Sequence, residues 1–323
     1  MDSLDRKILA ELSEKARQPH SQLAKRIKIS REVFDYRVKK LKEAGIIKGY
    51  EARINIKNFT YGGYILLIQA INLNEEREKE VISILKKNPA VYYIEKCGGS
   101  YDFVLGVNVR SLTDFSHAID KINDAFGKNK VNMTILTMIK ELRDSFKPLF
   151  MDKSEFNNVI TGFDLPQKVA IDNIDKKLIL RLGKDASITS PNLVKELGIT
   201  EVAIRKRIKR LLDKKVILGF RTMIDLGKLS LQVSSLLIKI NVQSSDAEKQ
   251  LQAFFQFDKN NTYICKVIGE YNYFVTIYNK DNVELKDYIK NLRNKFPELI
   301  MRVDILPLFE LNYHTHVPFE IYK

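Results

Sequence analysis

The sequence predicts an α+β protein in which two winged helix-turn-helix domains alternate with two ferredoxin-like (βαββαβ) modules. Three observations predict it: a basic amphipathic helix, a β-α-β-β-α-β order of segments after it, and the return of both at an offset of 170 residues. The helix lies within residues 30–47, where Phe34, Val38 and Leu41 recur at helical spacing and make one apolar stripe. Ser30 stands where an N-cap belongs and Gly45 where a helix stops. At the offset, Thr200 repeats the cap, Ile204, Ile208 and Leu211 repeat the stripe, and Arg207 replaces Arg37. The register persists from Leu12/Leu182 and Leu23/Leu193 through Ile47/Ile217 and Gly49/Gly219 to Gly99/Gly269 and Tyr101/Tyr271. This is a tandem duplication without net insertion between those points. Its period is far longer than the roughly 20–50 residues of solenoid repeats, so each copy is expected to fold as a domain pair.

In chain order, Leu4, Ile8, Leu9 and Leu12 share a face of a first helix over 3–14, and a second short helix follows around 21–27. Lys28 and Ile29 make the turn into the basic helix, and after Gly45 the chain becomes extended through 46–54 with a kink at Gly49, which predicts a small wing. Ser190-Pro191 predicts a cap followed by proline in the second copy. Residues 64–71, 91–94, 101–107 and 131–139 read as strands, with helices over 75–87 and 112–126 between them. The second copy places strands near 233–242, 262–268, 271–279 and 300–310. The expected domains are therefore 1–60, 61–145, 172–230 and 231–323, joined by a linker over 146–171. That linker carries Phe150, Phe156, Val159, Ile160 and Phe163, and is expected to pack on the body.

Composition narrows the function. The 323 residues are 45% hydrophobic and 29% charged, which describes an ordinary globular protein, and no apolar run approaches a bilayer span. Cys97 and Cys265 do not match in register, so neither a disulfide framework nor a zinc site is expected, and a cytoplasmic location follows. A net charge of +14 favours an anionic partner. Residues 30–48 carry a net +3 and residues 200–218 a net +5. The histidines His20, His117, His314 and His316 do not recur at the offset, and no phosphate-loop, dinucleotide or nucleophile-elbow motif is present. The chain is therefore not expected to be an enzyme or to need a cofactor.

Taken together, Leu4-Asp5 with Ile8-Leu9, Leu23-Ala24, Ser30 through Leu41, and Gly45-Ile46-Ile47-Lys48-Gly49-Tyr50 resemble the Lrp/AsnC (feast/famine) transcriptional regulators. Gly99-Ser100-Tyr101-Asp102-Phe103 looks like that family's Gly-x-Tyr-Asp turn. The resemblance covers nearly the whole chain, once per copy. It implies sensor modules that dimerise through their sheets and bind small effectors, often amino acids, near that turn. Gly99, Tyr101, Asp102, Gly269, Tyr271 and Asn272 are the effector residues it implies. The second copy departs at Lys215 for Gly45 and at Asn272 for Asp102, and loss of the acid puts effector binding there in doubt. The siroheme decarboxylases, an enzymatic branch resembling this family, carry His-Asn-Tyr-x-Arg and Asn-x-Trp-Phe elements that are not found here, and the chain has no tryptophan.

If the basic helices dock in a major groove, Glu32, Tyr36 and Lys39, and Val202, Lys206 and Lys209, face the bases. Arg31, Lys40, Arg205 and Arg210 suit phosphates, and the helix N-termini at Ser30 and Thr200 offer free N–H groups to a phosphate. For Arg37 and Arg207, at the margin of the stripe, a salt bridge inside the domain and a phosphate contact stand equally open. Asp102 is either an effector ligand or a stabiliser of its own turn. The expected function is a sequence-preferring regulator of double-stranded DNA that responds to an amino acid or related metabolite. Its two copies would pair within the chain as a pseudo-dimer, with further homo-oligomerisation. The alternatives are an architectural DNA-coating protein with little base readout and a small-molecule enzyme on the sensor scaffold.

Overall fold

A computed structural model describes residues 1–59, 62–151, 169–241 and 245–315. The expectations placed on Phe156, Val159, Ile160, Phe163 and His316 lie outside the described residues. The first copy runs α1 (Ser3–Lys15), α2 (His20–Arg26), α3 (Arg31–Glu43), β1 (Ile47–Ile54), β2 (Gly62–Ala70), α4 (Glu75–Lys87), β3 (Val91–Cys97), β4 (Phe103–Val109), α5 (Leu112–Phe126) and β5 (Lys130–Asp144). The second repeats it as α6 (Asn173–Lys184), α7 (Ser190–Leu197), α8 (Glu201–Asp213), β6 (Ile217–Ile224), β7 (Gln232–Ile240), α9 (Ser245–Phe257), β8 (Asn261–Ile268), β9 (Tyr273–Asn279), α10 (Asn282–Lys295) and β10 (Ile300–His314). No helix among the described residues is long and apolar enough to cross a membrane.

The duplication closes on itself. β1, the strand expected to start a wing, forms no hairpin of its own but pairs antiparallel with its counterpart β6, with Glu51 opposite Arg221 and Tyr50 opposite Thr222. The first helix of each copy lies against the other copy's strand: the Ala16 N–H donates to the Phe220 carbonyl at 2.9 Å, and the Ala186 N–H to the Tyr50 carbonyl at 2.8 Å. Leu9, Leu12, Phe34, Leu178, Leu182 and Ile204 consequently belong to one apolar core shared by both helix-turn-helix units.

The remaining strands close an eight-stranded barrel in the order β10-β3-β4-β2-β5-β8-β9-β7. The final strand of each module outruns its expected end, because its two halves pair with different modules. Residues 130–137 of β5 pair with β2, while Thr137–Asp144 pair with β8 of the other module. β10 divides likewise between β7 and β3. Each module's helices cover its own sheet in a separate core, one around Leu66, Val81, Ile122 and Phe126 and one around Leu236, Phe255, Val275 and Leu292. The barrel interior forms a further core, with Leu67, Leu136, Leu237 and Leu306 fully buried in it.

Local signals explain the helix ends. The Ser30 hydroxyl accepts from the Val33 N–H and the Thr200 hydroxyl from the Ala203 N–H, as caps do. In α7 the cap is Thr189 rather than Ser190, which is already the first helical residue. Gly45 closes α3 at φ +70°, and Lys215 adopts the same left-handed backbone at φ +53°. The second copy thus keeps the turn while lacking the residue that makes it cheap. At the start of the linker, Leu149 and Phe150 are buried against the shared helix-turn-helix core.

Candidate nucleic-acid interface and effector turns

The two candidate recognition helices, α3 and α8, are fixed by their dry faces. Phe34, Val38 and Leu41 are buried beneath α3, and Ile204 and Leu211 beneath α8, with Ile208 partly buried beside them. Opposite these stripes, Arg31, Glu32, Tyr36, Lys39 and Lys40 are exposed on α3, and Val202, Arg205, Lys206, Lys209 and Arg210 on α8.

The two exposed faces are held differently. On α3 the charges are tied to one another: Arg31 Nε reaches Asp35 at 3.3 Å, Lys39 lies 3.9 Å from Glu43, and the Lys40 ammonium sits 5.8 Å from the centre of the Tyr36 ring. Hydrogen bonds from its own backbone N–H and from Ser30 hold the Glu32 carboxyl below the ordinary carboxylate range. His20 Nδ1 lies 2.5 Å from Asp35 on the flank of this helix. On α8, Arg205 pairs with Glu201, while Lys206 and Lys209 make no ion pair among the described residues.

Arg37 and Arg207 are taken up inside their own domains. Arg37 Nη1 binds Asp2 at 2.6 Å and Asp5 at 3.2 Å; Arg207 Nη1 binds Asp172 at 2.7 Å and Asp175 at 2.8 Å. Those four aspartates are the capping boxes of α1 and α6, so each arginine clamps the reading helix to the first helix of its unit. Arg210 joins the second clamp through Asp175, whose side chain is fully buried. Sequence spacing alone could not separate a clamp from a phosphate contact; the Asp at the helix cap was the signal for it.

The two turns of the sensor modules are built alike. The Ala70 N–H donates to Asp102 Oδ2 at 2.7 Å, and the Ile240 N–H to Asn272 Oδ1 at 2.9 Å. Each turn needs one acceptor oxygen, which an amide supplies as well as a carboxylate. The change from Asp102 to Asn272 therefore leaves the bond that closes the turn in place in both copies. The tyrosines are also matched: Tyr101 hydrogen-bonds Thr134 at 2.9 Å, and the Tyr271 hydroxyl donates to Asp304, the residue at the same place in the other copy. The glycines are required by the opposite module. A Cβ on Gly99 would stand 3.0 Å from the Ile305 carbonyl oxygen, and one on Gly269 would stand 2.7 Å from that of Ile135. The glycines thus face the other module's last strand, while the tyrosines and Asp102 and Asn272 bond within their own module.

A family model described as winged helix-turn-helix DNA-binding matches residues 1–48. An HTH-type transcriptional regulator of Pyrococcus abyssi is 30% identical over 142 residues, covering 44% of this chain and 89% of that protein. One of Pyrococcus furiosus is 27% identical over 142 residues, covering 44% of this chain and 95% of its own length. Over 99% of this chain and 97% of the other, the fold is similar to that of the siroheme decarboxylase NirDL, with a TM-score of 0.62 at 13% identity. That enzyme is also known in complex with an iron-uroporphyrin III analogue. With its helix-turn-helix motifs repeated twice, the chain belongs to the DNA-binding transcriptional regulators of the Lrp/AsnC type.

Proposed function

We propose that the protein reads DNA as an intrachain pseudo-dimer, with α3 and α8 as two non-identical recognition helices on one rigid body, acting in the cytoplasm. The observation that carries this reading is the β1–β6 seam, because each strand continues directly from its recognition helix and the two strands share one ladder. Tyr36 and Lys39 on α3, and Val202, Lys206 and Lys209 on α8, supply base contacts. The N-termini at Ser30 and Thr200, with Arg31, Lys40 and Arg205, supply phosphate contacts, while Arg210 is held in the clamp through Asp175. Arg37 and Arg207 position the helices instead of touching DNA. An amino acid or related metabolite acting at the Gly99 and Gly269 turns would be felt by both modules, since each turn rests on the other module's strand. Selection of bound fragments from random duplex DNA tests the reading: a reproducible sequence supports it, whereas salt-sensitive binding without sequence preference supports DNA coating.

A second reading is favoured by one observation, a cavity of about 2130 Å³ between the barrel and the β1–β6 seam, in a fold shared over its length with a siroheme decarboxylase. An enzyme acting on a tetrapyrrole would use that space. Titration with an iron porphyrin, followed by its absorbance, tests it: tight stoichiometric binding with turnover would displace the regulator reading.

A further inference from the structure

The barrel is filled at one end and open at the other. Around the glycine turns the lumen is closed by Leu67, Leu136, Leu237 and Leu306 with Tyr101 and Tyr271. At the far end lies the cavity of about 2130 Å³, bounded by all eight barrel strands and by Glu51, Arg53 and Thr222 of the β1–β6 seam. Tyr92, Tyr93, Tyr263, Phe274 and Tyr278 contribute aromatic rings to its wall.

One carboxyl is set into that wall. Glu95 on β3 is 7% exposed, and the Tyr93 hydroxyl donates to it. Among the described residues no lysine or arginine pairs with Glu95. The arginines of the cavity are engaged nearer the seam, Arg221 with Glu51 and Asp144 and Arg53 with Asp144 and Glu14. Burial pushes the Glu141 carboxyl of the same cavity up to about 8, but Arg53, Lys57 and Arg221 stand near it as positive charges that oppose the shift. Glu95 has no such neighbour, and burial pushes its carboxyl up to about 8.

A buried carboxyl without a cation is costly to ionise, and an incoming cation of matching geometry recovers that cost. Tyrosine ring faces beside it add attraction for an ammonium group. An anion recovers none of that cost and makes ionisation of Glu95 less favourable still. We propose that the lumen cavity is a binding site for an amphipathic organic amine, its ammonium group on Glu95 beside Tyr93 and Tyr278 and its apolar body along the barrel. The volume exceeds the roughly 300–1,000 Å³ of a typical small-ligand pocket, which favours a long or polycyclic body over a free amino acid. The site is separate from the glycine turns and does not depend on how the protein reads DNA. Because its walls belong to both the barrel and the seam, an occupant would sit at the joint between them.

Calorimetric titration of the full chain with octylamine, octanol and octanoate tests the proposal, because the three probes share an apolar body and differ in charge. Octylamine is expected to bind most tightly and octanoate most weakly. Glu95→Gln, which keeps the shape of the side chain, should weaken octylamine by about tenfold or more and leave octanol unchanged. Octanoate binding as tightly as octylamine, or no octylamine binding at millimolar concentration, would overturn the proposal without recourse to any variant. So would equal octylamine affinity in a folded Glu95→Gln chain, or an iron porphyrin that fills the cavity and excludes octylamine irrespective of residue 95.

Discussion

Glu51 and Arg221 occupy the same position in the two copies and face each other across the β1–β6 ladder. Their pairing is what a chain joining copy one to copy two can have and a copy-one homodimer cannot. Two first copies would set Glu51 against Glu51, and two second copies Arg221 against Arg221; like charges directly opposite on a ladder are destabilising. Arg221→Glu recreates the first of these seams inside the intact chain. Its guanidinium is 6% exposed and holds Glu51 at 2.8 Å and Asp144 at 3.0 Å. Removing one partner of a buried pair costs about 3–5 kcal/mol, and here the change also takes away the guanidinium that Glu51 and Asp144 share. Denaturant unfolding should therefore show a loss of at least that order, a large share of the roughly 5–15 kcal/mol of a typical domain. The exchanged pair, Glu51→Arg with Arg221→Glu, keeps opposite charges across the ladder and should recover about 1–3 kcal/mol relative to additivity. Strictly additive losses in the exchanged chain would refute the seam as the determinant of pairing.

Lys215→Gly places the residue of the first copy's helix stop into a backbone at φ +53°, and should raise stability by about 0.5–1 kcal/mol, read as a shift in the urea midpoint. At the sensor turns, Asp102→Asn should be close to neutral, since Asn272 already makes the equivalent bond. Asp102→Ala and Asn272→Ala should each cost about 1–2 kcal/mol by leaving a backbone N–H without its acceptor, and thermal unfolding measures both. A large loss in only one of that pair would show that the turns are not equivalent.

Much of this architecture could be read from the chain. The caps at Ser30 and Thr200, the stripes beneath the reading helices and the βαββαβ order are local patterns, and local patterns decided them. What escaped sequence reading depends on the other copy. The strand after Gly45 has the look of a wing until its partner proves to be β6, and β5 runs on to Asp144 because β8 is there to pair with it. The spacing of Gly99 says turn, but its need for glycine comes from the Ile305 carbonyl, more than 200 residues away. The structural role that Asp102 and Asn272 share is hidden for a related reason: the N–H that each accepts from, on Ala70 and on Ile240, lies 32 residues earlier in the chain.

The intrachain seam has a consequence for the DNA itself. A two-fold dimer of identical units presents two identical readers, so its operators tend toward palindromes. Here the seam relates α3 to α8 by pseudo-symmetry only, and their outward faces differ in kind. Tyr36, 58% exposed, stands near Lys39, whose charge is balanced by Glu43; Val202, 63% exposed, stands beside Lys206 and Lys209, which no acid among the described residues neutralises. The second reader should therefore lean more on phosphates. Lys206→Glu with Lys209→Glu leaves the buried Ile204/Leu211 stripe untouched and should cost one to several kcal/mol of binding, on the order of the groove and phosphate contacts removed, with a shallower salt dependence. Lys39→Glu on the other reader should change affinity less and preference at its own half-site more. Binding-site selection with the full chain should return two half-sites of unequal sequence in fixed order, and the double variant should relax only one of them. A strict palindrome, or equal relaxation of both halves, would mean that two chains meet on DNA through identical readers and that the seam does not set the register of reading.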